Sequence, residues 1–347
     1  MYRCADGYEP NLRKEREYEM KHIYIVNPAA GKKDSTESLS EKIKAYYLGD
    51  DMPELEIYQT TGVGDATRFV REYCRANPQQ EVRFYACGGD GTFSEVAGGA
   101  VGFANAAVGL IPVGTGNDFM RGFEIGEYFM DISAQRDGQV IRLDMIRCND
   151  YYGVNLLNTG FDCEVVVKTS EIKRKKWVPR SMAYGLGVAL ELIRKPGVTV
   201  ELSVDGGEVQ KRELLLCAIG NGARYGGGFT PLPFASVSDG QLDFCFVKNV
   251  SRLKFVSLVG TYKKGTHVIP QNADILEYGR CRRVHMSFAQ EQNVCLDGEV
   301  RQMKECDIEV IPGGLHFVLP EGCTVVTRPD FCGDVKQQEK IVLEVTR

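Results

Sequence analysis

Cys87-Gly88-Gly89-Asp90-Gly91-Thr92-Phe93 ends an apolar run over residues 82–86 and sets one carboxylate among three glycines. Glycines at a strand-to-helix turn let backbone N–H groups come close to an anion, and the helix start adds its positive dipole end. Such a loop suits phosphate. Asp90 alone would repel one, so the combination makes sense where a divalent metal stands between carboxylate and phosphate, or where Asp90 orients a neighbouring group. The chemistry indicated is that of a metal–nucleotide site.

The elements that must position this loop repeat along the first third of the chain. Residues 23–26 are a short apolar run followed by Asn27-Pro28-Ala29-Ala30-Gly31-Lys32. Behind it Leu39, Ile43 and Tyr46 or Tyr47, spaced three or four apart, predict a helix. Residues 55–59 predict a second strand, and Thr60-Thr61-Gly62-Val63-Gly64-Asp65 leads into a helix carrying Ala66, Phe69, Val70 and Tyr73. The third strand, 82–86, is followed by a helix from Phe93 to about Val101. The fourth, 107–111, ends in Pro112-Val113-Gly114-Thr115-Gly116-Asn117-Asp118-Phe119. Strand–loop–helix repetition predicts a parallel sheet with right-handed crossovers, a Rossmann-like α/β domain. All these loops then follow carboxyl ends of strands and gather on one edge, where open α/β sheets bind ligands.

Two familiar phosphate motifs are excluded. No Gly-x-x-x-x-Gly-Lys-Ser/Thr occurs, and Gly31-Lys32-Lys33 lacks both the upstream glycine and the hydroxyl. No Gly-x-Gly-x-x-Gly follows the first strand, and Gly62-Val63-Gly64 comes at the wrong strand. A lone Gly-x-Gly by itself only supplies positive φ for a turn. Two glycine loops on neighbouring strand ends, 88–92 and 114–118, say more than that.

From about residue 144 the texture changes to short runs, often alternating, separated by Gly, Asn and Asp: 154–157, 198–204, 214–219, 242–247, 284–288, 294–296 and 308–311. This predicts an antiparallel β-domain, a sandwich, interrupted by helices at 180–194 and 253–262. The apolar pattern of 314–327 is placed to return a strand to the first domain. The expected organisation is a polar N-terminal extension over 1–19, a nucleotide-binding α/β domain over 20–143 completed by about 315–328, a β-rich domain over 144–314, and a charged tail over 329–347. Met20 reads as the initiator, or 1–19 as a dispensable tail.

Bulk composition narrows the classes. The 347 residues suffice for two domains. A net charge of -5 gives no support to nucleic-acid binding, which favours a strongly basic surface. No apolar run has the length of a membrane span, and the charged N-terminus lacks the core of a signal peptide. A cytoplasmic protein with reduced cysteines is expected: the twelve are scattered, with no Cys-x-x-Cys. The four histidines, His22, His267, His285 and His316, read as structural.

The motifs together resemble the diacylglycerol kinase catalytic-domain family, which includes bacterial soluble lipid kinases and is related to sphingosine and ceramide kinases. Asn27–Lys32, Gly88–Thr92 and Pro112–Phe119 carry the likeness in the first half. Asn221-Gly222-Ala223-Arg224-Tyr225-Gly226-Gly227-Gly228-Phe229, the run from Pro233 to Asp243 and Leu296-Asp297-Gly298-Glu299 carry it in the second. The resemblance spans residues 21 to about 328. It implies that Asn27, Pro28, Ala29, Ala30, Gly31, Thr61, Gly88, Gly89, Asp90, Gly91, Thr92, Ser94 and Thr115 hold ATP. It also implies that Asp239 binds Mg2+ with the carbonyls of Ser236 and Gln241, and that Asp297 or Glu299 is the general base beside the acceptor hydroxyl. Many relatives carry two acids where this chain has Ser238-Asp239-Gly240; an Asx turn without an ion is the alternative there. For Asp297-Gly298-Glu299 the alternative is a plain hairpin turn.

The resemblance therefore implies an ATP-dependent lipid kinase that phosphorylates a lipid hydroxyl, diacylglycerol to phosphatidic acid first, then another lipid alcohol (sphingosine-like, ceramide, undecaprenol). An NAD kinase and a non-catalytic nucleotide- or lipid-binding protein are the rivals. The stretch 168–180, with Lys168, Lys173, Arg174, Lys175, Lys176 and Arg180 beside Trp177, is a candidate docking face for an anionic inner membrane surface, reached transiently; a solvated charge run is the alternative. A homodimer is compatible with the chain.

Overall fold

The computed structural model describes residues 20–31, 35–48, 52–114, 116–173, 197–226 and 228–338. The chain divides into two compact units. Met1–Thr115, Glu127–Ile141 and Leu315–Cys323 make the first; Gly116–Gly126, Arg142–Gly314 and Thr324–Arg347 make the second.

The first unit alternates β1 (Lys21–Val26), α1 (Ser35–Tyr46), β2 (Glu54–Gln59), α2 (Asp65–Ala76), β3 (Val82–Gly88), α3 (Asp90–Ala100) and β4 (Ala106–Pro112). The strands lie in the order β2-β1-β3-β4, and each neighbouring pair is parallel. Phe317 pairs in parallel with Val108 on the far side of β4. Strands covered on both faces must be apolar throughout, and β4 is buried at every residue. A short helix, α4 (Ile132–Arg136), is capped by Asp131, whose Oδ1 accepts from Ser133 N and Ala134 N. Gln135 is wholly buried and donates to the carbonyls of Leu110 and Phe129. Gly99 of α3 permits close helix packing, since a Cβ there would stand 2.8 Å from the Thr67 carbonyl of α2.

Helix α3 begins at Asp90, three residues before the expected start at Phe93. Phe93 N already donates to Gly89 O at 3.1 Å, so the helical ladder takes in the whole Asp90-Gly91-Thr92 segment.

The second unit is antiparallel. It holds β5 (Phe123–Glu124), β6 (Gln139–Cys148, from Arg142 onward), β7 (Tyr151–Gly153), β8 (Leu156–Gly160), α5 (Phe161–Lys173), β9 (Val198–Val204), β10 (Gln210–Gly220) and β11 (Leu242–Lys248). Then come α6 (Arg252–Lys264), β12 (Leu276–Cys281), β13 (Arg283–Leu296), β14 (Glu299–Leu319, as far as Gly314) and β15 (Thr324–Val325). The strand order is β12-β11-β10-β8-β13-β14. β9 pairs with β10 and β13, β6 with β7, and β5 with β15. Successive β10 residues feed two cores: Cys217 and Ile219 pack with Phe244, Met286 and Ile308, while Leu216 and Ala218 pack with Phe234, Phe255 and Tyr278.

Three sequence expectations change here. Residues 284–288 and 294–296 belong to one strand, β13, whose pairing shifts register between Ser287 and Gln292. Residue 154 lies in a turn, and the strand runs from Leu156 to Gly160. β12 and the long β6 were not anticipated, because their polar residues break the alternation. The expected helix over 180–194 and the basic stretch beyond 173 lie outside the described residues. No helix among the described residues is long and apolar enough to cross a membrane. Every described cysteine is free, and all but Cys332 are buried.

Candidate functional site

In the first unit the loops after β1, β3 and β4 are tied to one another. Asn27 N donates to Cys87 O at 3.0 Å, and Asn27 Nδ2 donates to Thr92 Oγ1 at 2.9 Å. Asn27 Oδ1 in turn accepts from Ala29 N at 2.9 Å, which shapes the Pro28-Ala29-Ala30 turn. Gly88 O accepts from Val113 N and Gly114 N at 3.0 and 3.1 Å, and Gly89 faces the Gly114 Cα at 3.5 Å from where a Cβ would be. A Cβ on Gly88 would collide with the Thr92 side chain. Close approach therefore requires glycine at position 88, whereas a methyl at 89 would make only an ordinary contact.

The residues expected to hold nucleotide thus fall into one patch made by three loops and the start of α3. Asn27, Pro28, Ala29, Ala30 and Gly31 form the first loop; Gly88, Gly89, Asp90, Gly91 and Thr92 form the second; Ser94 follows one residue past Phe93 on α3. The α3 N-cap, Gly89, makes no side-chain capping bond. Helix-start amides of this kind attract an anion. Thr61 sits at the end of β2, where its N–H and hydroxyl both donate to Asp65 Oδ2, at 2.8 and 3.0 Å. The Thr61 amide and then the Arg68 guanidinium hold the Asp65 carboxyl down at about 2. Thr115 lies outside the described residues.

In the second unit the Asp297-Gly298 turn joins β13 to β14, with φ of 50° at Asp297 and 90° at Gly298. Positive φ at both central residues is the hairpin geometry that Asp-Gly favours. The turn does more than reverse the chain. Asp297 Oδ2 accepts from Val154 N at 2.7 Å, and its Oδ1 accepts from Asn155 N and Leu156 N, each at 3.0 Å. Glu299 stands two residues on, half-buried, and its carboxylate has no hydrogen-bond partner among the described residues.

The loop before β11 carries the expected metal ligands. Asp239 Oδ1 accepts from Gln241 N at 3.1 Å, an Asx turn. Desolvation, with Asp144 adding repulsion, pushes the Asp239 carboxyl above its ordinary value. Asp144 is the residue that sequence reasoning missed: buried on β6, it accepts from Gly240 N at 2.6 Å and Gly313 N at 2.7 Å and so fixes this loop. The Asp239 carboxylate and the carbonyls of this loop, with Asp144 beside them on β6, offer hard oxygen donors, and a divalent ion would relieve the repulsion between the acids. The loop therefore fits Mg2+. A separate cluster, His285, Glu305 and Asp307, offers three ligand atoms close together, but Arg283 already pairs with Asp307 at 2.8 Å.

Also unforeseen is a small apolar recess of about 40 Å³, lined by Phe161, Val165, Leu216, Phe229, Phe255 and Val259. Asp162 lies within it, pushed up to about 6 by burial, with Tyr262 Oη donating to its carboxylate at 3.3 Å. No spacing rule could have found this recess, because α5, β10, the 225–229 turn and α6 meet only in the fold.

The sequence profile of the diacylglycerol kinase catalytic domain matches residues 21–148, and that of the YegS C-terminal NAD kinase beta sandwich-like domain matches residues 155–319. A diacylglycerol kinase of Mycobacterium tuberculosis is 31% identical over 240 residues, covering 67% of this chain and 75% of its own. The diacylglycerol kinase of Bacillus subtilis is 27% identical, covering 86% of this chain and 95% of its own. Among solved structures, a diacylglycerol kinase of Bacillus anthracis shares the fold with a TM-score of 0.66 at 24% identity, covering 87% of this chain and 97% of its own.

Proposed function

The chain belongs to the diacylglycerol kinase catalytic-domain family, and from that premise we propose that it is an ATP-dependent kinase whose acceptor is a lipid hydroxyl, that of diacylglycerol. The observation that carries the reading is the carboxylate turn. Asp297 is fixed by three backbone N–H groups with Glu299 beside it, more hydrogen bonds than a plain hairpin turn uses.

In this account ATP phosphates lie against the amides of Asn27–Gly31 and Gly88–Thr92, with Ser94 and Thr115 contributing hydroxyls, as at the carboxyl ends of a Rossmann-like sheet, while Thr61, whose hydroxyl proton goes to Asp65, would meet the nucleotide as an acceptor. Asp239, with the Ser236 and Gln241 carbonyls, would hold Mg2+, whose chemistry is to neutralise charge. A carboxylate of the Asp297–Glu299 pair accepts the hydroxyl proton as the γ-phosphoryl is transferred, a role worth roughly 10²–10⁴-fold in rate. Peripheral attachment to an anionic membrane surface would give access to the lipid.

The test is incubation with labelled ATP, Mg2+ and a panel of diacylglycerol, sphingosine, ceramide, undecaprenol and NAD, followed by phase separation. Label in phosphatidic acid is expected. Label confined to NADP would replace this reading with an NAD kinase.

A further inference from the structure

A second, shallow recess in the β-rich unit, open to solvent, is lined by Arg121, Arg224, Arg328, Asn155, Asn221 and Asp118 among others. Asp118 is the one acid in that lining, and Arg121 lies 3.5 Å from its Oδ1, so the guanidinium groups outnumber the carboxylate. Asn221 is wholly buried, yet neither its Oδ1 nor its Nδ2 has a hydrogen-bond partner among the described residues; the buried Nε of Arg224 also lacks one. Unsatisfied buried polar atoms are costly and rare, and an anion set among guanidinium groups would offset their mutual repulsion through charge-assisted hydrogen bonds.

The backbone is built to hold this arrangement. Gly220 and Gly222 flank Asn221, and a Cβ on either would collide with Asn155. Asn221 N and Gly222 N both donate to Asn155 O, and Asn155 Nδ2 donates to Arg224 O at 2.9 Å. Burial, then Arg121, lowers Arg224; burial, then Arg224, lowers Arg328 to about 10. The Asn155 amide that binds Asp297 Oδ1 ties the recess to the carboxylate turn.

We propose that Arg121, Arg224, Arg328 and Asn221 form a phosphate-oxyanion subsite, in which planar guanidinium forks and the Asn221 amide grip a tetrahedral phosphate. Two sources share this chemistry: free inorganic phosphate and the phosphomonoester head of an anionic lipid. The subsite does not depend on the kinase reading, because binding is measured without ATP or turnover.

The experiment is isothermal titration of the whole protein at constant ionic strength with inorganic phosphate, a short-chain phosphatidic acid and a short-chain diacylglycerol. Saturable binding of the two phosphates is expected, weakened at least tenfold by Arg224→Gln and by Arg328→Gln, and abolished by Asn221→Asp, which adds a charge at constant shape. Circular dichroism and the thermal midpoint check that each variant is folded. Arg283→Gln, at a surface pair with Asp307, should bind as wild type. Tighter binding of phosphatidic acid than of phosphate assigns the site to a lipid head; equal binding assigns it to the free ion. No saturable phosphate binding, equal binding of the neutral diacylglycerol, or affinities that Arg224→Gln and Arg328→Gln leave unchanged would overturn the proposal.

Discussion

Replacing Asp297 by Asn separates what the carboxylate holds together from what it reacts with. Three N–H groups point at it, and hydrogen bonds to a charged acceptor are worth roughly 1.5–3 kcal/mol each, against about 1 kcal/mol for a neutral one. In the variant, the amide oxygen keeps the Asn155 and Leu156 donors as neutral bonds. The amide nitrogen turns its hydrogens toward Val154 N–H, and that bond is lost. With the charged bonds taken at the low end of that range, the sum is about 3 kcal/mol of lost stability. The backbone adds nothing, because a φ of 50° suits Asn as well as Asp. In a unit of this size, each kcal/mol moves the thermal midpoint by roughly 2–4 °C, so differential scanning calorimetry should show a fall of about 6–12 °C. Glu299→Gln is the control. With no partner to lose, it should shift the midpoint little. A fall of less than about 2 °C for Asp297→Asn would refute the claim that this carboxylate organises the 154–156 turn.

Other outcomes follow from the buried groups and the loops. Burial raises Asp162 to about 6 in the folded state, so the folded protein binds a proton that the unfolded chain releases at lower pH, and this group costs stability as pH rises from 4 to 6. Asp162→Asn should therefore gain up to about 3 kcal/mol over wild type at pH 7.5 and nothing near pH 3.5 in urea unfolding; an equal difference at both would refute the assignment. His22 is held neutral, down at about 3, by burial and then by Arg83 and Arg136. Below pH 6.5 the unfolded chain takes up a proton that the folded state refuses, so this group loses about 1.4 kcal/mol per pH unit on acidification. His22→Gln should flatten the slope of stability between pH 6 and 4 by that amount, and an unchanged slope would count against it. Gly88→Ala pushes a methyl into Thr92, the acceptor of the Asn27 amide, and should cost about 1–3 kcal/mol and weaken ATP binding; unaltered nucleotide affinity would contradict the placement of that loop.

What could be read from the chain and what could not divide along a physical line. Parallel strands buried on both faces show as apolar runs, and the glycines that end them are forced by contacts only a few atoms wide; hence β1, β3, β4 and the loops at 27–31 and 88–92 were visible in one dimension. Antiparallel pairing hides its partners. Asp144 meets Gly240 and Gly313 from 96 and 169 positions away, and Asp297 reaches Val154 across 143, so no local pattern announces either contact. The Asp297-Gly298 pair was legible as a hairpin, but the three amides it gathers were not. The same distance conceals Arg328, brought beside Arg224 and Asn221 by the return of the chain at 324–328.

The most direct test of the central claim is transfer of label from γ-labelled ATP to diacylglycerol in mixed micelles, run on wild type, Asp297→Asn and Glu299→Gln at a temperature where all are folded. Mg2+-dependent phosphatidic acid from the wild type is predicted. Loss of roughly 10²–10⁴-fold is predicted in at least one variant whose ATP affinity is nearly intact. Near-normal turnover in both variants, or none in the wild type with any lipid alcohol, would contradict it.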